Sequence, residues 1–165
     1  MKRRVALKRK PEVVLLKEEH FPYLWAAYKR GSLAGLFEDG LDLDAFKERL
    51  ANGLAALIQA GGEAYALMSP TKSMPVGMAV VRAYEQCVEP HVWWFPEATR
   101  RNKLELTLAL VVELKRKALI LILAQPPDWR FFDHLCKYGA LRRVGTIRDA
   151  QGDGKHAAVY QSVGH

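Results

Sequence analysis

Cysteine is scarce: Cys87 and Cys136 are the only two in 165 residues. That excludes a disulfide framework and a CxxC metal site, and it points to reduced thiols in a cytoplasmic setting. His20, His91, His134, His156 and His165 show no metal-ligand spacing with one another or with the cysteines, so no zinc site is expected. Long apolar runs are also missing. The longest, residues 118–124 (ALILILA), is far short of the ~20 residues that span a bilayer. The basic start of the chain passes into Pro11 and Glu12 with no apolar export segment, so neither secretion nor membrane insertion is expected. Ser32 and Ser73 have no nucleophile-elbow context, and there is no internal repeat, low-complexity tract or second-domain linker.

Acidic charge is in deficit, with Lys+Arg 25 against Asp+Glu 18 and a net charge of +7. The excess is local. Residues 1–10 (MKRRVALKRK) hold six basic residues and no acid, which leaves 19 basic against 18 acidic over the other 155 residues, a balance of +1. This predicts a basic N-terminal arm over residues 1–10, able to contact nucleic acid or an acidic partner, and a nearly neutral single domain over residues 11–165. At 50% hydrophobic and 26% charged, the composition is that of a globular chain able to bury one core.

Periodicity supplies the elements. Residues 12–16 (EVVLL) read as a strand and residues 21–30 as a helix with Phe21, Leu24, Trp25 and Tyr28 at helical spacing. A second helix over 43–60, capped by Asp42 or Asp44, repeats apolar residues at Phe46, Leu50, Leu54, Leu57 and Ile58 and stops at Gly61 and Gly62. Period-two segments at 63–68 and 76–84 form a predicted hairpin, followed by a strand at 91–95 (HVWWF). Thr99 caps a helix over 100–117 with apolar residues on more than one stripe, and 118–124 reads as a strand covered on both faces. Gln125-Pro126-Pro127 ends it. A helix over 128–138 capped by Asp128 and ended by Gly139 follows, then strands at 143–148 and 156–162 around a turn at 149–154. The order is βαα-ββ-βαβα-ββ.

The strongest chemical signal is the turn into the helix at residue 100. A helix N-terminus carries unpaired amides and a partial positive charge, so cations there cost roughly 0.3–1 kcal/mol each when the site is poorly screened. Here the first turn reads Arg100-Arg101-Asn102-Lys103. Such a turn is explained by a bound anion, above all phosphate, or by long side chains that turn back into water.

At this turn the chain resembles the GNAT superfamily of N-acetyltransferases. The resemblance runs over residues 12–162. Residues 92–97 (VWWFPE) look like the family's strand-to-loop segment, 75–79 (PVGMA) like its hairpin strand, and 138–141 (YGAL) like its helix-terminating segment. The spelling HVWWFPEATRRNKLE and FFDHLCKYGALRRVG is similar to GNAT-like proteins encoded by tailed bacteriophages, some of which accompany virion assembly genes. The resemblance implies an α/β (α+β) fold with a mixed central sheet of about six to seven strands and helices on both faces. It implies acetyl-CoA as co-substrate, an amine acceptor not readable from the sequence, and a coenzyme site formed by Trp94, Phe95, Thr99, Arg100, Arg101, Asn102 and Lys103.

Two departures bear on chemistry. The family's loop glycines are missing: the positions fall on Thr99, Asn102 and Leu104, or with a slip of one residue on Arg100, Lys103 and Glu105. The tyrosine that commonly protonates the leaving thiolate is replaced by Leu135, with Tyr138 and Tyr84 as possible substitutes. For the base that takes the acceptor's proton the candidates are Glu85, Glu89, His91 and Glu97, of which Glu89 and His91 share strand parity. The expectation is thus an acyl-CoA-binding N-acetyltransferase with Glu89, His91 and Tyr138 as catalytic candidates, or alternatively a catalytically inactive GNAT-fold phage virion or assembly protein that meets a virion or host protein.

Overall fold

The computed structural model describes residues 10–124, 128–148 and 156–164. Residues 1–9 of the basic arm, the segment 125–127 and the turn at 149–154 lie outside the described residues. Seven strands form one mixed sheet in the order β1-β2-β3-β4-β5-β7-β6. They are β1 (Glu12–Leu15), β2 (Glu63–Met68), β3 (Pro75–Ala83), β4 (Cys87–Trp94), β5 (Leu119–Ala124), β6 (Leu141–Ile147) and β7 (Ala157–Ser162). The helices are α1 (Phe21–Lys29), α2 (Leu43–Gln59), α3 (Arg100–Lys115) and α4 (Trp129–Cys136). All pairings are antiparallel except β4 with β5.

The two faces of β3 show how the core divides. Ala79 and Val81 pack with Leu106, Leu110, Val111 and Leu114 of α3, whereas Met78 and Val80 pack on the opposite face with Leu24 and Phe46 of α1 and α2. Period-two alternation in the sequence therefore feeds two separate apolar layers. The α3 layer is a single stripe, narrower than the sequence pattern suggested: Leu106, Leu110 and Leu114 recur every fourth residue, while Val112 faces outward. β5 likewise differs from a strand covered on both faces, because Leu123 is 49% exposed while its neighbours Ile122 and Ala124 are buried.

On the other layer, Phe46 is completely buried and its ring lies 4.8–5.8 Å from those of Phe21, Trp25, Tyr28 and Phe37. Burying one such ring is worth about 1.5–3 kcal/mol, so this residue anchors an otherwise exposed α2. Asp42 Oδ1 accepts from Ala45 N at 2.8 Å and caps α2 as its sequence indicated. Asp128 precedes α4 without a side-chain cap, its backbone being already helical there.

His20 links the first strand to α1. Its ring is buried and its Nδ1 accepts from Lys17 N at 3.0 Å, a bond that needs the lone pair of the neutral imidazole. Burial lowers its pKa, opposed by Glu19 and assisted by Lys17. The unfolded chain, with an ordinary value near ~6.5, then binds more protons than the folded one as the medium is acidified. Stability contributed by neutral His20 should be complete above about pH 6.5 and lost as pH falls through its lowered folded value. Chemical denaturation between neutral and mildly acid pH checks this, and His20→Gln should flatten that part of the profile.

Candidate functional site

The site begins with a proline. Tyr84 N donates to Cys87 O at 2.9 Å and Phe95 N donates to Val76 O at 2.9 Å. By the alternation of a strand, the backbone groups of the odd-numbered residues of β4 point toward β3 and those of the even-numbered residues toward β5. β4 and β5 pair in parallel at Cys87↔Leu119 and Val88↔Ile120 only. The next residue on that edge is Pro90, which has no N–H to offer. Beyond it the strands part. Residues 89–94 of β4 continue without a partner on this side, while 121–124 of β5 pair with β7 on the other. The result is a wedge whose β4 edge offers the amides of Val92 and Trp94. It opens toward the strand ends, where ligands of α/β sheets characteristically bind.

At the mouth of this wedge stands the N-terminus of α3. Thr99 Oγ1 accepts from Asn102 N and Asn102 Oδ1 accepts from Thr99 N, both at 3.1 Å. This reciprocal cap is worth ~1 kcal/mol and starts the helix without a glycine. It also commits Asn102, which is buried, to the helix rather than to a ligand. Arg101 Nε donates to Glu105 Oε1 at 2.6 Å along the helix surface. Arg100 is exposed and Lys103 half-buried, and neither side chain has a polar partner among the described residues. Leu104 packs against the core beneath α3 and does not enter the turn.

Phe95 is 3% exposed, inserted between α1 and the sheet, and its N–H and C=O are bound to Val76 O and Ala98 N. Nothing of it is left for a coenzyme. Trp94 lies on the α3 face, half-buried against the core, with Gly77 directly opposite it on β3. A Cβ on Gly77 would stand 2.9 Å from both Trp93 O and Trp94 Cε3, so glycine here admits the indole.

Glu89 and His91, predicted to share a face, do so and touch. Glu89 Oε2 accepts from the Tyr84 hydroxyl at 3.0 Å and lies 3.4 Å from His91 Nε2. The Nε2 atom is buried yet makes no hydrogen bond, since the 3.4 Å contact lacks the angle for one. The carboxylate is 18% exposed and the imidazole 37%, which leaves a route for an incoming group. Glu97 is differently placed. It pairs with Arg30 at the end of α1, and that bond holds its carboxyl below the usual range, so it fastens α1 to the turn and makes a poor base. Glu85 sits exposed in the β3–β4 turn.

The remaining tyrosine candidate stands apart. Tyr138 follows α4, is 54% exposed, and its one side-chain hydrogen bond among the described residues is a 3.5 Å contact with His134 a turn earlier. Leu135 is fully buried in the α4 layer. Tyr160, which sequence reasoning did not single out, is also buried; its hydroxyl donates to Asp133 Oδ1 at 2.8 Å, and burial followed by that bond raises its pKa well above the ordinary value. It braces α4 against β7. Among the described residues no group of three or more His, Cys, Asp or Glu side chains could hold a metal ion, and no helix is long and apolar enough to cross a membrane.

On the α1/α2 face a groove of about 690 Å³ runs between α2 and β3. Leu50, Leu54 and Leu57 form one wall, and Met78 and Val80 the floor, with Arg82 and Tyr84 at one end. Val80 and Arg82 are the cross-strand partners of His91 and Glu89, which places the polar pair on the groove's face beside the wedge. Gly53, in the middle of α2, also lines the groove, and a Cβ there would meet nothing within 4 Å. Gly53 is exposed, and a glycine inside a helix costs about 0.5–1 kcal/mol relative to alanine.

No protein-family model and no curated protein matches the sequence. The structure, in contrast, is similar to solved acetyltransferases. A protein from Bordetella pertussis assigned to the GnaT family of acetyltransferases superposes with TM-score 0.66 at 16% identity, covering 98% of this chain and 100% of that one. A ribosomal-protein-alanine N-acetyltransferase from Brucella melitensis gives 0.62 at 16% identity, covering 92% and 98%. A spermidine N-acetyltransferase chimera from Vibrio cholerae and hSSAT gives 0.69 at 9% identity, covering 93% and 94%. With its seven-strand mixed sheet, its parted β4 and β5, and these structural neighbours, the chain has the fold of the GNAT acetyltransferases.

Proposed function

We infer that this protein binds acetyl-CoA with its thioester in the β4–β5 wedge and transfers the acetyl group to an amine. The observation that carries this reading is the parting of the two strands after Val88 and Ile120, next to a helix N-terminus that carries Arg100, Arg101 and Lys103. The free first-turn amides and the two arginines suit the coenzyme's pyrophosphate, with Lys103 at the rim. Thr99 and Asn102 shape the turn through their cap and contribute no ligand contact. Phe95 is a packing residue.

In this reading the amine arrives from the groove side. Glu89, directly or through a water, takes a proton from the ammonium, and His91 shares the site. The amine nitrogen then forms a bond to the thioester carbonyl carbon, and the developing oxyanion meets the Trp94 amide, which already faces the wedge. The nitrogen then gives up its second excess proton to water, and the C–S bond breaks as the tetrahedral intermediate collapses to the amide. With Leu135 buried and Tyr138 remote from Glu89 and His91 in its bonding, the thiolate takes its proton from water.

A second reading, a catalytically inactive GNAT-fold binding or phage assembly protein, draws on the glycine-free first turn of α3 and on Leu135. Isothermal titration decides between them. Acetyl-CoA should bind at micromolar concentration, and Arg100→Ala/Arg101→Ala should weaken it about tenfold or more, as expected for loss of charge-assisted bonds to phosphate. Absence of heat with both acetyl-CoA and CoA at high protein concentration removes the transferase reading and leaves the second.

A further inference from the structure

We propose that the α2–β3 groove is the acceptor site and that its acceptor is an apolar α-amino acid, held by its ammonium at Glu89, its carboxylate at Arg82 and its side chain among the leucines of α2. The assignment to the acceptor rests on the transferase reading above; the binding chemistry of the groove does not.

Three features of the groove define that class. The walls and floor are apolar, so the body of the ligand is apolar. The lining contains one acid, Glu38, and this is occupied by Arg49 at 2.8 Å, so a polycation finds no row of carboxylates. Arg82 lines the groove and Glu89 stands directly opposite it on β4, just outside the lining, and no ion pair joins the two. Glu89 turns instead to Tyr84 and His91, and Arg82 has no partner among the described residues. Directly opposed residues in a sheet have Cβ atoms about 4.5–5.5 Å apart, a separation suited to the two ends of one zwitterion. The pair therefore offers a carboxylate for the ammonium and a guanidinium for the carboxylate of the same head group.

The test is direct binding to the whole protein, with and without acetyl-CoA, of L-phenylalanine, L-leucine, phenethylamine and spermidine by isothermal titration. L-Phenylalanine or L-leucine should bind. Arg82→Gln should weaken the amino acids about tenfold or more and leave phenethylamine, which has no carboxylate, within twofold. Gly53→Leu should abolish all groove binding while melting no lower than the parent, since leucine is a good helix former; Gly53→Ala should give an intermediate loss and guards against misfolding of the larger variant. Spermidine binding more tightly than either amino acid, no binding of any amino acid at millimolar concentration, or amino-acid affinities unmoved by both substitutions would each overturn the proposal. Acetyl-CoA titrated into the parent is read separately: its failure to bind sinks the transferase reading and leaves the groove result standing.

Discussion

Glu89→Gln should lower acetyl transfer by about 10²-fold or more while leaving acetyl-CoA affinity unchanged. The substitution is nearly isosteric, and the amide oxygen can still accept from the Tyr84 hydroxyl that lies 3.0 Å from Glu89 Oε2. What is lost is the capacity to take a proton, so the effect falls on turnover rather than on binding. Release of CoA thiol with the amino acids that bind the groove is the measure. Tyr84 acts through Glu89 as a positioning residue, its hydroxyl 3.0 Å from Glu89 Oε2: Tyr84→Phe should lower kcat several-fold and leave acetyl-CoA affinity unchanged. A Glu89→Gln variant within twofold of the parent, with a large loss in His91→Gln instead, would transfer the role of base to His91.

Gly77→Val should destabilise the protein by roughly 1–3 kcal/mol, toward the upper end of that range, and disturb the wedge. Even the first added carbon would stand 2.9 Å from the carbonyl oxygen of Trp93, a backbone atom that cannot swing away, and 2.9 Å from the Trp94 ring. Either the β3–β4 pairing at Gly77↔Trp94 opens or the indole leaves its place against the core. Both displace the Trp94 amide. Urea denaturation and tryptophan fluorescence report the two effects, and acetyl-CoA affinity should fall with them. Stability within 0.5 kcal/mol of the parent, about the scatter of neutral surface changes, would mean that the sheet absorbs the side chain.

Much of this architecture was legible in the chain itself. The alternation in β3 and the four-residue repeat in α3 assign faces because side-chain direction follows directly from backbone period. Caps at Asp42 and Thr99 are local bonds between near neighbours and were equally readable. Boundaries were less so: β4 begins at Cys87, whereas the apolar run indicated a start at His91, because Pro90 interrupts the pattern without ending the strand. The sequence signal for the wedge was present in that proline, inside a strand flanked on both sides, and its meaning depended on knowing which neighbour its missing N–H would have faced.

Of the candidate residues, parity united Glu89 and His91, but nothing in one dimension could show Tyr84 donating to the former or Arg30 taking Glu97 out of contention. Asn102 caps α3 and Phe95 packs beneath α1, positions the sequence could not show, since a cap bond and a buried ring are decided by the partners that approach them. The charge of the body shows the same division. Arg100, Arg101 and Lys103 mark a basic helix N-terminus legible from sequence alone, because charge in the first turn and the helix dipole are local properties. That Arg82 has no partner among the described residues beside a carboxylate, and that a groove runs between α2 and β3, are consequences of β3 meeting β4 and α2 across long stretches of chain. Local order fixed the elements and their faces; contacts between distant residues, set by packing and by one missing N–H at Pro90, decided the wedge, the groove and the polar pair between them.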